Sequence, residues 1–465
     1  MKFCEKPFMS AYLSTEGEVW PCGWMHYVIG NLYEQNLDEI WHSEAVQKAR
    51  ETILDGTYAY CRKMSCPYCE RGDLPDLSEE ELKQASIPTP LPEYITLAND
   101  HICNIACTTC RSGIYKPADG EREKIDRVLQ QFLPIANRLK ILDTNGQGEF
   151  LANPSFINFL EKLQPVHSDF QLNFETNGIL FDEAHWNRFS HLGKYHIRIV
   201  VTINSLRREV YRYLSGGFDY LEQTLNNLRF LSRLRREGKI NELCVTMVVQ
   251  ESNCWEVPEY IRTFAHSEEF EIDQIVMKPL YKWFHMERET YWFKNILNPL
   301  HPYHKEYLRI LADDCWKDPK VYDWGCHNIR QADPHPLTQE KEFNRLLRLI
   351  YDNAEGLSPV AYMKKCLERV GANKIGVYGE NDMLDTIVHL LKNAGASVPF
   401  RLTRYDDCPG NPPTISMPHF QPDSVDAMLL MEFYDMQNRT NNLRSLHYEG
   451  PILTLADLIE SANMI

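Results

Sequence analysis

No stretch of this 465-residue chain approaches the run of about 18 apolar residues that a membrane-spanning helix requires. No such helix is expected. The opening residues, Met1-Lys2-Phe3-Cys4-Glu5-Lys6-Pro7, lack the apolar core of a secretory signal, which sets the expectation of a cytoplasmic protein. Positive charge is in deficit: 49 lysines and arginines face 65 aspartates and glutamates, a formal net charge of −16. A nucleic-acid binder needs a basic face to neutralise phosphates, so that partner is excluded. The richest basic run, 229–239, reads as the solvated face of a helix. Apolar and charged shares of 43% and 25% are those of an ordinary globular chain, long enough for about three domains. Cysteine is plentiful, at 14. With no secretory signal and with clustered spacing, these thiols point to metal binding rather than disulfides.

The densest cluster is Cys103, Cys107 and Cys110, a C-x3-C-x2-C spacing that follows the extended run Tyr94-Ile95-Thr96-Leu97-Ala98. Three thiols this close are too crowded and too odd in number for a disulfide framework. They suit a [4Fe–4S] cluster, which usually takes four thiolates, so one iron is left for another ligand. A structural zinc site is the alternative, although so tight a three-ligand loop fits zinc less well.

Five further cysteines come earlier: Cys4, Cys22, Cys61, Cys66 and Cys69. A hairpin turning at Gly17, between Tyr12 and Trp20, brings Cys4 and Cys22 together. A helix from about Asn36 toward Leu54 follows, and Cys66-Pro67-Tyr68-Cys69 has the C-x2-C spacing of metal sites, a zinc knuckle included. Residues 73–92 read as a short acidic helix and a Pro-stiffened linker.

From residue 93 the pattern alternates. Strands are expected at 95–97, 138–143, 169–176, 196–204, 243–250 and 273–278, with helices at 121–136, 154–163, 183–191, 219–236 and 254–265. Such repeats imply a parallel sheet with functional residues at the C-terminal ends of its strands. Residues 296–355 read as a helical connection, clearest at 303–311 and 340–353. From 356 to the end, strands at 374–379, 398–402, 427–432 and 451–454 with intervening helices describe a Rossmann-like α/β domain. It has no G-x-G-x-x-G; Glu380 and Asp382 in the first turn would repel a pyrophosphate, which argues against a dinucleotide site.

The cysteine spacing and repeat count resemble the radical S-adenosylmethionine (radical SAM) superfamily. By that resemblance the fold is α/β: a partial (β/α)6 TIM-like barrel at 93–295, a SPASM/twitch-like auxiliary [4Fe–4S] domain at 1–72 and the 73–92 linker. Cys103, Cys107 and Cys110 would hold the catalytic cluster, whose open iron binds the amino and carboxylate groups of S-adenosylmethionine. Gly146-Gln147-Gly148-Glu149-Phe150 is similar to the family's Gly-Gly-Glu-Pro, which binds the cofactor's ammonium, with Gln147 replacing its first glycine and Phe150 its proline. Asn177, in Thr176-Asn177-Gly178, matches the family's Thr-Asn-Gly. Thr202 and Asn204 sit where relatives face the cofactor's sugar, and they share one strand face.

The N-terminal segment resembles the auxiliary module through Cys4, Gly17 and Cys22, Gly30-Asn31-Leu32, Leu37-Asp38-Glu39-Ile40-Trp41 and the final C-x2-C. Cys4, Cys22, Cys66 and Cys69 would then hold the second cluster, with Cys61 able to substitute. The order departs from the family, whose auxiliary module normally follows the barrel. Asp323-Trp324-Gly325-Cys326 falls where that later module would start, but no Gly-x4-Cys or C-x2-C follows it.

The resemblance implies reductive cleavage of S-adenosylmethionine to a 5′-deoxyadenosyl radical that abstracts a substrate hydrogen. The expected substrate is a sugar- or cyclitol-type small molecule, oxidised or epimerised. Peptide maturation is the second class, and a non-enzymatic iron–sulfur scaffold or sensor the third. A flavodoxin or ferredoxin is the implied reductant.

Overall fold

The computed structural model describes all residues except Met1, His26, 63–65, 67, 70–71, 100, 112, 147, 283–285, 287, 329–342, 349, 351–357, 380–383, 404–411, 432–435 and 461–465. Contacts divide the chain into two compact units: Met1–Gly56 with Arg62–Arg330, and Thr57–Cys61 with Gln331–Ile465.

The first unit is built on a ten-stranded sheet. Seven consecutive parallel neighbours run β4 (Tyr94–Asn99), β5 (Ile141–Gly146), β6 (Gln171–Thr176), β7 (His196–Thr202), β8 (Glu242–Val249), β9 (Gln274–Pro279) and β10 (Val321–Asp323). On β6 burial alternates with period two: Leu172, Phe174 and Thr176 are buried, whereas Asn173 and Glu175 are half-buried. The buried face packs on helices through Val128, Phe132, Phe156 and Leu160, whereas β8 is buried on both faces from Leu243 through Met247. The six strands and five helices read from periodicity appear at or near their expected positions. β10 does not match the expected helical connection: three residues are too short to show a period, and the parallel edge of β9 pairs them as strand.

The opposite face is concave. Lys278 on β9 bonds Glu175 on β6 across two intervening strands, which requires the sheet to curl toward that side. Arg198 on β7 likewise bonds Glu242 at 3.0 Å and Gln274 at 3.0 Å.

The N-terminal segment extends this same sheet. β1 (Ser10–Leu13) runs parallel to β4 in the register Ser10 to Tyr94 through Leu13 to Leu97. The expected hairpin then pairs β1 with β2 (Glu18–Trp20), with Gly17 at φ +81° in the turn, and β3 (Gly30–Asn31) follows. Positive φ there explains the glycine. The helix read as continuous from Asn36 is two, Leu37–Trp41 and Glu44–Leu54, because the Ser43 hydroxyl accepts from Val46 N–H and starts a new helix. Residues 87–92 are tied down: Thr89 N–H bonds Phe8 carbonyl at 2.9 Å, and Trp41 Nε1 bonds Thr89 carbonyl at 2.7 Å.

In the curled sheet the two ends approach each other. Trp24, after β2, meets Tyr281, after β9, with ring centroids 6.4 Å apart. Sequence order alone left open which end of the sheet the cysteine-rich segment covers. Tyr281 follows the C-terminal end of β9, whereas β2 runs antiparallel to β1, so the chain toward Trp24 leaves β2 at the end where β1 and β4 begin.

The second unit holds five parallel strands in the order β13 (Thr414–Ser416), β12 (Arg401–Thr403), β11 (Ile375–Tyr378), β14 (Ala427–Leu430) and β15 (Ile452–Thr454). Two apolar clusters cover its faces, one around Val377, Ile387 and Leu429, the other around Tyr378, Leu402 and Met428. β13 was not legible in sequence, and the acidic turn with Glu380 and Asp382 lies outside the described residues.

Candidate metal and cofactor site

The loop carrying Cys103, Cys107 and Cys110 leaves the C-terminal end of β4. Cys110 N–H and Arg111 N–H both bond the Cys107 carbonyl, at 2.9 and 3.1 Å, forming a tight turn between two of the thiols. Thr108 N–H bonds the Leu214 carbonyl at 3.0 Å and fixes the loop to the end of helix Arg208–Leu214. Gly216, at φ +76°, closes on the same loop: a Cβ there would lie 2.0 Å from the Ala106 carbonyl oxygen.

All three thiols are partly exposed. Burial pushes Cys107 up to about 12, and the neighbouring Cys110 and Cys103 thiols raise it further. Burial likewise raises Cys103, with Glu149 and Cys110 adding to the rise. The three sulfurs therefore share one electrostatic environment, and binding iron would release their protons. Among the described residues, no three His, Cys, Asp or Glu side chains converge on a single metal ion.

Glu149 ties this loop to the two following strand ends. Its N–H bonds the Ile102 carbonyl at 2.9 Å. Its carboxylate accepts from Thr176 Oγ1 at 2.8 Å and from Asn177 N–H at 2.7 Å. Asn177 Nδ2 in turn reaches Asn104 Oδ1 at 2.7 Å and Cys103 Sγ at 3.9 Å. Asn104 Nδ2 is buried with no protein partner, so a donor is left over beside Cys103. Gln147 lies outside the described residues, and Gly148 adjoins Glu149.

Burial raises the Glu149 carboxyl from 4.5 to about 7, against the lowering effect of its hydrogen bonds. The folded state therefore holds this proton longer than the unfolded chain does. The stability it contributes is full below pH 4.5 and is lost as pH rises through about 7. That is worth about 3 kcal/mol. Urea midpoints of the metal-free protein at pH 5 and pH 8 should differ less in Glu149→Gln than in wild type. Equal differences would exclude Glu149 as the source.

Thr202 is half-buried on β7 opposite Thr246. Asn204 is engaged with the protein itself. Its Oδ1 accepts from Val248 N–H at 2.9 Å and its carbonyl from Asn253 Nδ2 at 2.8 Å. Asn253 Oδ1 accepts from Gln250 N–H at 2.8 Å, so Asn204 and Asn253 lock the ends of β7 and β8.

In the N-terminal segment the hairpin brings Cys4 and Cys22 together. Burial pushes Cys4 up to about 11 and Cys22 up to about 12, and the nearby Cys66 raises both. A hydrogen bond with Cys69 raises Cys66, followed by burial. Cys66 thus neighbours Cys4, Cys22 and Cys69. Cys61 falls in the second compact unit, and Pro67 lies outside the described residues.

The concave face carries a set of paired polar side chains. Tyr94 and Asn173 both bond Asp143, and Lys278 lies 4.9 Å over the Trp324 ring while bonding Glu175. A separate surface cavity of about 530 Å³, lined by Glu16, Tyr33, Glu121, Lys124 and Arg127, contains none of the residues named above.

Residues 4–70 match the SPASM family, an iron–sulfur cluster-binding domain. That match spans Cys4, Cys22, Cys61, Cys66 and Cys69. No match was found among curated proteins. Among solved structures, SuiB of Streptococcus suis is 13% identical over 63% of this chain and 55% of its own, with a TM-score of 0.34. SuiB bound to S-adenosylmethionine is 12% identical over 75% of each chain, also at 0.34. The archaeal Elp3 of Methanocaldococcus infernus, with an N-terminal deletion, is 15% identical over 43% of this chain and 39% of its own, at 0.24. This chain therefore spans little more than half the first of these. At such TM-scores the likeness adds nothing to the argument from the residues. Among the described residues no helix is long and apolar enough to cross a membrane.

Proposed function

We propose that this chain is a radical SAM enzyme with an N-terminal auxiliary cluster, its curled sheet a partial (β/α)6 barrel and its second unit a Rossmann-like domain. The observation that carries the reading is three neighbouring thiols on one loop beside the Glu149–Asn177 lock at adjacent strand ends. The residues fit the cluster: Cys103, Cys107 and Cys110 would hold a [4Fe–4S] cluster with one open iron, and the leftover Asn104 donor sits beside it. When bound, cluster and S-adenosylmethionine supply one-electron reductive cleavage, the hard chemistry that belongs to the cofactor.

The protein's own part is positional. Leu214 and Gly216 hold the cysteine loop, Glu149 joins three strand ends, and the Trp24–Tyr281 contact closes the curled sheet. Cys4, Cys22, Cys66 and Cys69 would hold the second cluster, able to take an electron from a substrate radical and make the net reaction an oxidation. A flavodoxin- or ferredoxin-type reductant in the cytoplasm would deliver the first electron.

For the substrate, the polar side chains of the concave face favour a sugar- or cyclitol-type small molecule, because Asp143, Asn173, Glu175 and Lys278 offer donors and acceptors for hydroxyl groups. The SPASM match favours a second class, a precursor peptide. Incubation with reductant, S-adenosylmethionine and ring-deuterated sugars or cyclitols is expected to put deuterium into 5′-deoxyadenosine. Transfer from deuterated peptides alone would replace the first substrate class with the second.

A further inference from the structure

Lys294 ends the helix Arg288–Lys294 and is only 7% exposed. Among the described residues no carboxylate pairs with its ammonium group. Its hydrogen bonds go to Thr108 Oγ1 at 3.3 Å and Tyr213 Oη at 3.2 Å, and it lies 4.8 Å over the Tyr213 ring. A buried cation with two neutral oxygens and one ring face is poorly compensated. Thr108 follows Cys107 directly and lies two residues before Cys110. The charge thus sits against the turn between two of the three thiols. A [4Fe–4S] core held by three thiolates carries net negative charge, which grows by one on reduction. That would be the missing counter-charge.

We propose that Lys294 is a positioning residue that, through Thr108, neutralises the cluster held by Cys103, Cys107 and Cys110 and makes its one-electron reduction easier. This rests on the iron–sulfur reading of that loop. A cation next to an acceptor stabilises the more negative, reduced form, and burial strengthens the effect because water screens it less. Lys294 also anchors a second chain segment, since its carbonyl accepts from Glu251 N–H at 3.0 Å. Helix, loop and strand end therefore meet at one residue.

The test is dye-mediated redox titration of the reconstituted full-length protein, followed by electron paramagnetic resonance. The signal perturbed by added S-adenosylmethionine reports the open-iron cluster. Lys294→Met is expected to keep its iron but lower the reduced-to-oxidised ratio at a set potential about tenfold, which is about 59 mV for one electron. Lys294→Arg should stay near the wild-type ratio, and the auxiliary signal should not move. An unchanged ratio in Lys294→Met, or an equal fall in Lys294→Arg, would overturn the proposal. Should Lys294→Met lose its iron, Lys294→Gln takes its place, and a wild-type ratio there is equally fatal. Iron lost from both neutral variants but kept in Lys294→Arg supports the charge, whereas loss from all three counts against it. Absence of any S-adenosylmethionine-responsive signal in wild type would refute the reading of the loop itself, independently of Lys294.

Discussion

Replacing Cys103 with alanine is expected to take the iron of the anaerobically reconstituted protein from about eight atoms per chain to about four. Two separate thiol groups underlie this number. Cys110 raises both Cys103 and Cys107 on the loop after β4, and in the N-terminal segment Cys66 raises both Cys4 and Cys22 while Cys69 bonds Cys66. Removing one thiolate from a three-thiolate set leaves too few ligands to retain a cluster, whereas the four-thiolate set should be unaffected. Wild-type protein holding about four irons, all lost in Cys103→Ala, would remove the auxiliary cluster from the account. The converse variant, Cys22→Ala, should also leave about four, in the cluster that responds to S-adenosylmethionine.

Gly216→Ala should have nearly the same effect without touching a ligand. Left-handed backbone costs a non-glycine residue about 1 kcal/mol, which a protein of this size survives. The contact is the larger effect. A Cβ 2.0 Å from the Ala106 oxygen and 2.8 Å from its carbonyl carbon cannot be accommodated, so the segment between Cys103 and Cys107 must move. Iron is expected to fall toward about four per chain, with 5′-deoxyadenosine formation lost. Gly217→Ala supplies the control, because Gly217 shares a positive φ, +94°, but has nothing within 4 Å of a Cβ. Equal iron loss in both variants would attribute the effect to backbone strain and sink the steric argument.

Much of the first unit was legible from residues because its physics is local. A strand buried on one face alternates with period two, a helix repeats near 3.6, and helix Glu121–Ala136 appears with the bounds its pattern implied. The cysteine motifs were legible for the same reason, since their spacing is short. What escaped the sequence is long-range. That β1 pairs in parallel with β4, some 80 residues on, depends on which sheet edge is open, and no local pattern encodes it. β10 and β13 have only three residues each, below the length at which alternation shows.

At the site the division is similar. Glu149 was singled out by its motif, yet its anchoring by Thr176 and Asn177 came only with the fold. Asn204 read as a cofactor-facing residue, whereas its side-chain oxygen accepts from Val248 N–H. Gly216 had a local signal, the Gly-Gly pair after helix Arg208–Leu214, where glycine commonly ends a helix. Its contact with Ala106 did not. Lys294 had no signal at all, since a lysine ending a helix is ordinarily a solvated cation.

The most direct measurement of the central claim is product formation at the Cys103–Cys110 loop. Reconstituted wild-type protein, given dithionite and S-adenosylmethionine, should release 5′-deoxyadenosine and methionine, and Cys107→Ala should release neither. Undiminished release from Cys107→Ala, or none from a wild-type protein carrying its full iron, would contradict the assignment.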